Sequence, residues 1–177
     1  MKVIIIGVSG AGKSTLSKKL SIKFQLPVLH LDQIWHGTNY DDAGKKVLRD
    51  SQIEFMENNP SWIIDGNYSE TLDLRMPHAD VIIWFRISKF KSLRRVIFRS
   101  LKVRAGLYKR TDMAKDFKEK FDKEYWEFLK FIWNFERDNI PKIEEKISKR
   151  KSESKLFVVN SKKDTIEVIN FMEINNS

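Results

Sequence analysis

The chain has 177 residues, of which 41% are hydrophobic and 12% aromatic, with only seven Gly and four Pro; this excludes a disordered or low-complexity chain and fits one domain with a continuous core. The absence of Cys excludes a disulfide framework, a thiolate zinc site and a cysteine nucleophile, and the three His (His30, His36 and His78) lack the spacing of a zincin helix. The formal charge of +9 is concentrated in residues 86–110, which hold ten basic and no acidic residues, so that the remaining chain has 23 basic against 24 acidic. A segment so charged on a nearly neutral body is an electrostatic site for a polyanion, whether nucleotide phosphates, a nucleic acid or an acidic membrane.

In chain order, residues 3–6 form an apolar run, too short for a signal-peptide core or a membrane span, and read as a buried strand. A soluble, cytoplasmic protein is expected. Further β-branched or aromatic runs predict strands at 28–31, 62–64, 81–85 and 156–159. Between them, helices are predicted at 13–24, stopping before Pro27, and at 42–58, stopping before Pro60. A third, over 89–108, places Leu93, Val96, Ile97 and Leu101 on one face. The fourth, over 113–137, carries an aromatic stripe (Phe117, Phe121, Tyr125, Phe128, Leu129, Ile132) that reads as core packing rather than a base-stacking surface. Pro141 opens a short charged segment through Lys151, and 164–174 reads as a closing helix. Alternating strand and helix specify an α/β fold with a parallel sheet covered on both faces, and right-handed crossovers bring all strand C-termini to one edge, where ligands bind.

Directly after the first strand stands Gly7-Val-Ser-Gly-Ala-Gly-Lys13-Ser14, a G-x-x-x-x-G-K-[ST] phosphate loop that opens a helix. Its backbone N–H groups, at Gly7, Ser9, Gly10, Ala11 and Gly12, are suited to cradle phosphate oxygens at the positive end of the helix dipole. Lys13 is placed to reach the β and γ phosphates, Ser14 to offer a hydroxyl to Mg²⁺, and Thr15 to bond the α phosphate. N-K-x-D guanine reading is absent. Two strands end in carboxylates, Asp32 and Asp65. Asp65, followed by Gly66, is preferred for the metal shell; Asp32 then faces a second substrate, as hydrogen-bond acceptor or as general base, with Trp35, His36 and Tyr40 as candidate walls of that pocket. His30 reads as a satisfied core residue.

With the phosphate loop, Asp65-Gly-Asn-Tyr68 and the Arg-rich segment together, the chain resembles the nucleoside monophosphate kinase-like group, adenylate kinases especially. His30-Leu-Asp32, Trp62-Ile-Ile-Asp-Gly-Asn-Tyr68, Thr71-Leu-Asp-Leu-Arg75 and Phe131-Ile-Trp-Asn-Phe135 are more closely similar to the topology-modulation (FlaR-type) proteins, related to adenylate kinase. The resemblance implies a three-layer fold around a five-stranded sheet in the order 2-3-1-4-5, a lid over about residues 86–115, and ATP with Mg²⁺ as cofactors. It also makes Arg75 the acceptor-phosphate arginine and Arg95, Arg99, Arg104 and Arg110 candidate lid arginines. The expected activity is transfer of the γ-phosphoryl of ATP to a nucleotide or other small acceptor. The competing expectation is a nucleotide-switched, nucleic-acid-binding regulator of DNA topology; a salt-sensitive grip on a phosphate backbone distinguishes it.

Overall fold

A computed structural model describes residues 1–107 and 122–175. Five strands, β1 (Lys2–Gly7), β2 (Val28–His30), β3 (Trp62–Asp65), β4 (Val81–Phe85) and β5 (Lys155–Val159), form one parallel sheet in the order β2-β3-β1-β4-β5. This is the strand order the resemblance implied. The three central strands are buried on both faces, which is why they read as unbroken Val/Ile/Trp runs instead of alternating ones.

The helices are α1 (Lys13–Phe24), α2 (Leu31–Trp35), α3 (Asp42–Asn58), α4 (Leu72–Arg75), α5 (Lys89–Arg104), α6 (Lys123–Asp138), α7 (Ile140–Ser148) and α8 (Lys162–Asn175). Helices α1 and α3 have the expected bounds. Asp41 caps α3 by accepting from the Gly44 amide at 2.7 Å, and Asp122 caps α6 by accepting from Tyr125 N–H at 3.1 Å. The core joins the sheet to Leu16 and Leu20 of α1, Leu48 of α3, Val96 of α5, Ile132 and Phe135 of α6, Ile143 and Ile147 of α7, and Val168 and Met172 of α8.

Three local readings are corrected. The segment opened by Pro141 is a helix: proline sits in its first turn, where no amide hydrogen bond is required, and Ile143 and Ile147 one turn apart are buried. Leu31 belongs to α2, not to the second strand. In α5 the buried row is Ser92, Val96 and Ser100, while Ile97 and Leu101 are exposed, and the helix ends at Arg104. That row meets the phosphate loop at Ser92 and Val96: a Cβ on Gly10, whose φ is +79°, would stand 2.7 Å from the Ser92 carbonyl oxygen and 2.9 Å from Val96 Cγ2. The core role read for the α6 stripe holds at Ile132 and Tyr125, which are buried, and at Phe128 and Leu129, which pack against the core; Phe117 and Phe121 lie outside the described residues. Among the described residues, no helix is long and apolar enough to cross a membrane.

Candidate active site

The loop between β1 and α1 lies at the C-terminal edge of the sheet. Gly12 caps α1 without a side-chain hydrogen bond, and the first turn contains no acidic residue. The first intrahelical bond closes from Leu16 N–H to the Gly12 carbonyl. The amides of Lys13, Ser14 and Thr15 thus precede the helical ladder and present the positive end of α1 to the cleft. Lys13 folds back over the loop, its Nζ donating to the Val8 carbonyl at 3.2 Å. From the other side Arg95 braces the loop, donating to the Ala11 carbonyl at 3.0 Å and the Gly10 carbonyl at 3.4 Å.

An open cleft of about 2460 Å³ runs from this loop across to α2 and the turn after β3. It is larger than the roughly 300–1,000 Å³ of a single small-molecule pocket. Gly7, Ser9, Gly10, Ala11, Gly12, Lys13, Ser14 and Thr15 all line it, as do Asp32, Trp35, His36 and Tyr40. Lys91, Arg95 and Arg99, one helical turn apart on α5, line it too. Of the other lid arginines, Arg104 is exposed at the end of α5 and does not line the cleft, and Arg110 lies outside the described residues.

The two strand-end carboxylates have different surroundings. Asp65 is buried; its Oδ2 accepts from the Ser17 hydroxyl at 3.2 Å and stands 3.0 Å from His30 Nδ1, while Oδ1, also buried, has no hydrogen-bond partner. An orphaned carboxylate oxygen beside Ser17 of α1 is the kind of group that holds a hard divalent cation through water, but Asp65, unlike Ser14, does not itself line the cleft. Among the described residues there is no cluster of three or more His, Cys, Asp or Glu.

Asp32 opens α2 and takes a hydrogen bond on Oδ1 from the Tyr68 hydroxyl at 2.8 Å. Burial, reinforced by the Asp32 carboxylate, pushes the Tyr68 phenol far up, so it remains a donor across the working pH range. Tyr68 stacks edge-on with Trp35 at 6.2 Å, Trp35 with Tyr40 at 5.5 Å, and the Tyr40 hydroxyl meets His36 Nδ1 at 2.8 Å. Tyr40 sits at φ +61°, a conformation L residues rarely adopt, and it holds its ring on this wall nonetheless.

Arg75 is placed differently from the acceptor-phosphate role the resemblance gave it. Its side chain is fully buried and does not line the cleft. Nη1 donates to Gln52 Oε1 at 2.7 Å and to the Thr71 hydroxyl at 3.1 Å, and Nη2 to the Gly66 carbonyl at 2.9 Å. Burial pulls the guanidinium down to about 9, leaving it charged at neutral pH. In turn Thr71 donates to the Tyr68 carbonyl at 3.2 Å and Gln52 Nε2 to the Leu48 carbonyl at 2.8 Å. Arg75 ties α3, the turn after β3 and α4 together behind the wall carrying Tyr68. Sequence reasoning also missed Ser17 and His30 as partners of Asp65, and Tyr68 as partner of Asp32. Only the Asp-Gly-Asn-Tyr block signalled the last of these.

Comparison with protein-family models and with curated proteins gives no match. Solved structures do match. Deoxyadenosine kinase from M. mycoides with bound dATP is 19% identical with a TM-score of 0.54, the match covering 100% of both chains. Shikimate kinase from Bacteroides thetaiotaomicron is 16% identical with a TM-score of 0.59, covering 100% of this chain and 99% of that one. Shikimate kinase from Acinetobacter baumannii with shikimate is 12% identical with a TM-score of 0.55, covering 98% and 93%. The fold is that of P-loop kinases.

Proposed function

We propose that the protein is an ATP-dependent phosphotransferase, nucleoside monophosphate kinase-like in its layout, that moves the γ-phosphoryl of ATP to a nucleotide or other small acceptor. The observation that carries this reading is the single cleft with the uncapped start of α1 and Lys13 at one end and Asp32 at the other. The shared fold with proteins named as kinases supports it. The loop amides bind and orient the triphosphate, and Lys13 leaves the Val8 carbonyl for the β and γ oxygens. Lys91, Arg95 and Arg99 supply positive charge from α5, within a basic segment proposed to cover the phosphates over about residues 86–115. Asp32, held by Tyr68, accepts the proton of the attacking hydroxyl. Ser14 and Asp65 would hold Mg²⁺, which when bound neutralises the charge on the β and γ oxygens.

The alternative, a nucleotide-switched regulator on DNA, leans on the same ten cations. Their placement favours the enzyme: Lys91, Arg95 and Arg99 line the cleft, Arg86 pairs with Glu144 at 3.5 Å, and Lys89 lies 4.2 Å over the Trp133 ring. The deciding experiment is a phosphotransfer screen of nucleosides, nucleoside monophosphates and hydroxylated metabolites with ATP and Mg²⁺, run beside duplex-DNA binding at two salt concentrations. Turnover lost in Lys13→Ala supports the kinase; salt-sensitive DNA binding without turnover supports the regulator.

A further inference from the structure

The two ends of the cleft differ in charge. At the phosphate end stand Lys13, Lys91, Arg95 and Arg99. At the other end, the lining residues between 32 and 48 and between 67 and 71 include three charged side chains, Asp32, Glu70 and Lys45. The exposed Lys45 ammonium pairs with Asp42 at 2.8 Å, and Glu70 adds to the field that favours its charged form. Glu124 of α6 lines the same cleft close enough to Tyr40 to push its phenol up, after burial. Carboxylates from three elements thus surround this end.

The polar groups at that end point to the same chemistry. Asp32 and Glu70 are hydrogen-bond acceptors, and Asn67 lines the cleft with a buried Oδ1 that has no partner. The strongest donor in the neighbourhood, the Arg75 guanidinium, spends both terminal nitrogens on Gln52, Thr71 and Gly66. Among the described residues this end carries three carboxylates against one lysine, beside the hydroxyls of Tyr40, Ser69 and Thr71, a balance that favours ligand hydroxyls and amines over a dianionic phosphate. The remaining wall is aromatic. Trp35, Tyr40 and Tyr68 meet edge to face, and Tyr40 is kept there at a strained φ of +61°. Faces of this kind hold a planar ring.

We propose that the acceptor is an unphosphorylated nucleoside, with its base against Trp35, Tyr40 and Tyr68 and its reacting hydroxyl at Asp32, and that nucleoside monophosphates are disfavoured by the carboxylates around it. This rests on the phosphotransferase reading and narrows it. The hydroxyl proton passes to the Asp32 carboxylate as its oxygen forms a bond to the γ-phosphorus. The bond from that phosphorus to the bridging oxygen breaks, and ADP leaves with the electron pair. Asp32 then returns the proton to solvent, so that ATP and a nucleoside give ADP, a nucleoside monophosphate and one proton.

The experiment uses the full chain with ATP and Mg²⁺, offering each common ribo- and deoxyribonucleoside beside its own 5′-monophosphate, with products resolved by chromatography. At least one nucleoside should be phosphorylated with kcat/KM about a hundredfold or more above its monophosphate, the scale of several kcal/mol for like charges brought together. Glu70→Gln should narrow that ratio by about two- to tenfold, the effect of one partly screened charge. Equal or better use of the monophosphates overturns the proposal, as does a ratio indifferent to Glu70→Gln. A protein that binds an ATP analogue through Lys13 but phosphorylates no nucleoside overturns it while leaving the phosphotransferase reading standing. Failure to bind the analogue at all sinks both.

Discussion

Replacing Arg75 with Ala separates an arginine that holds the fold from one that holds a ligand. The guanidinium is fully buried and donates to Gln52 Oε1, the Thr71 hydroxyl and the Gly66 carbonyl. Truncation leaves the Gly66 carbonyl and Gln52 Oε1 without that donor in a site closed to water, and empties the volume of a long side chain. Removing one side of a buried, hydrogen-bonded charge costs about 3–5 kcal/mol, a large share of the roughly 5–15 kcal/mol that keeps a domain folded. At a urea m-value of about 2 kcal/mol/M, the unfolding midpoint should fall by about 2 M. Arg75→Lys keeps the charge but not the planar fork spanning three partners, and should recover less than half of the loss. A double-mutant cycle with Gln52→Ala should show coupling of about 1–3 kcal/mol. An acceptor-phosphate arginine predicts the opposite pattern, a raised KM for the acceptor with an unchanged midpoint. A stability loss in Arg75→Ala below about 0.5 kcal/mol would refute the framework role, since that is the level of an ordinary surface substitution.

Lys13→Ala should abolish phosphoryl transfer in a coupled ADP assay while leaving the melting temperature nearly unchanged, because the side chain's single internal bond is to the Val8 carbonyl; near-normal turnover counts against phosphate-loop chemistry. Asp65→Asn should raise the Mg²⁺ concentration needed for half-maximal rate and lower that rate; an unchanged titration moves the metal role to Asp32. Gly10→Ala should destabilise the protein by about 1–3 kcal/mol and weaken binding of an ATP analogue, since the added Cβ meets the Ser92 carbonyl at 2.7 Å; calorimetry on the variant with and without analogue reads both. Hydrogen exchange should show residues 89–104 gaining protection when an ATP analogue and Mg²⁺ bind, as the anion relieves repulsion along Lys91, Arg95 and Arg99; protection already maximal in the free protein, and indifferent to nucleotide, sinks the lid proposal.

The phosphate loop and the buried parallel strands were legible because each is written in contiguous sequence, whereas the strand order followed from the family resemblance. Gly7 through Ser14 is a contiguous motif whose proposed binding is through consecutive backbone amides, and the Val/Ile runs of the central strands mark burial on both faces. The missed features are assembled by packing between distant residues: Tyr68 reaches Asp32 across 36 positions, and Ser17 reaches Asp65 across 48. Hydrophobic periodicity misplaced the buried face of α5 because that face carries two serines, Ser92 and Ser100, beside Val96, which packs against Gly10, while Ile97 and Leu101 are exposed. Pro141 read as a break because its position within the first helical turn depends on where α6 ends, at Asp138.

Arg75 shows where inference by motif position reaches its limit. A Thr-Leu-Asp-Leu-Arg block says that an arginine follows the third strand, and the charge suggests an anion. The direction of its side chain is set elsewhere, by Gln52 on α3, which offers an acceptor 2.7 Å away, and by the Gly66 carbonyl. Gly66 turns the chain at φ +152°, packed so closely that a Cβ would lie 2.7 Å from Leu31 Cβ. A residue with a side chain there would push Leu31 away, and with it the start of α2, on which Asp32 stands. The same glycine that closes the β3 turn thus helps to fix the carboxylate proposed to face the acceptor, and the buried arginine holds that glycine's carbonyl in place. On the proposed reading its part in the reaction is to hold Tyr68 and Asp32 in position, and the selectivity of the cleft follows from the groups that line it and not from the cation behind its wall.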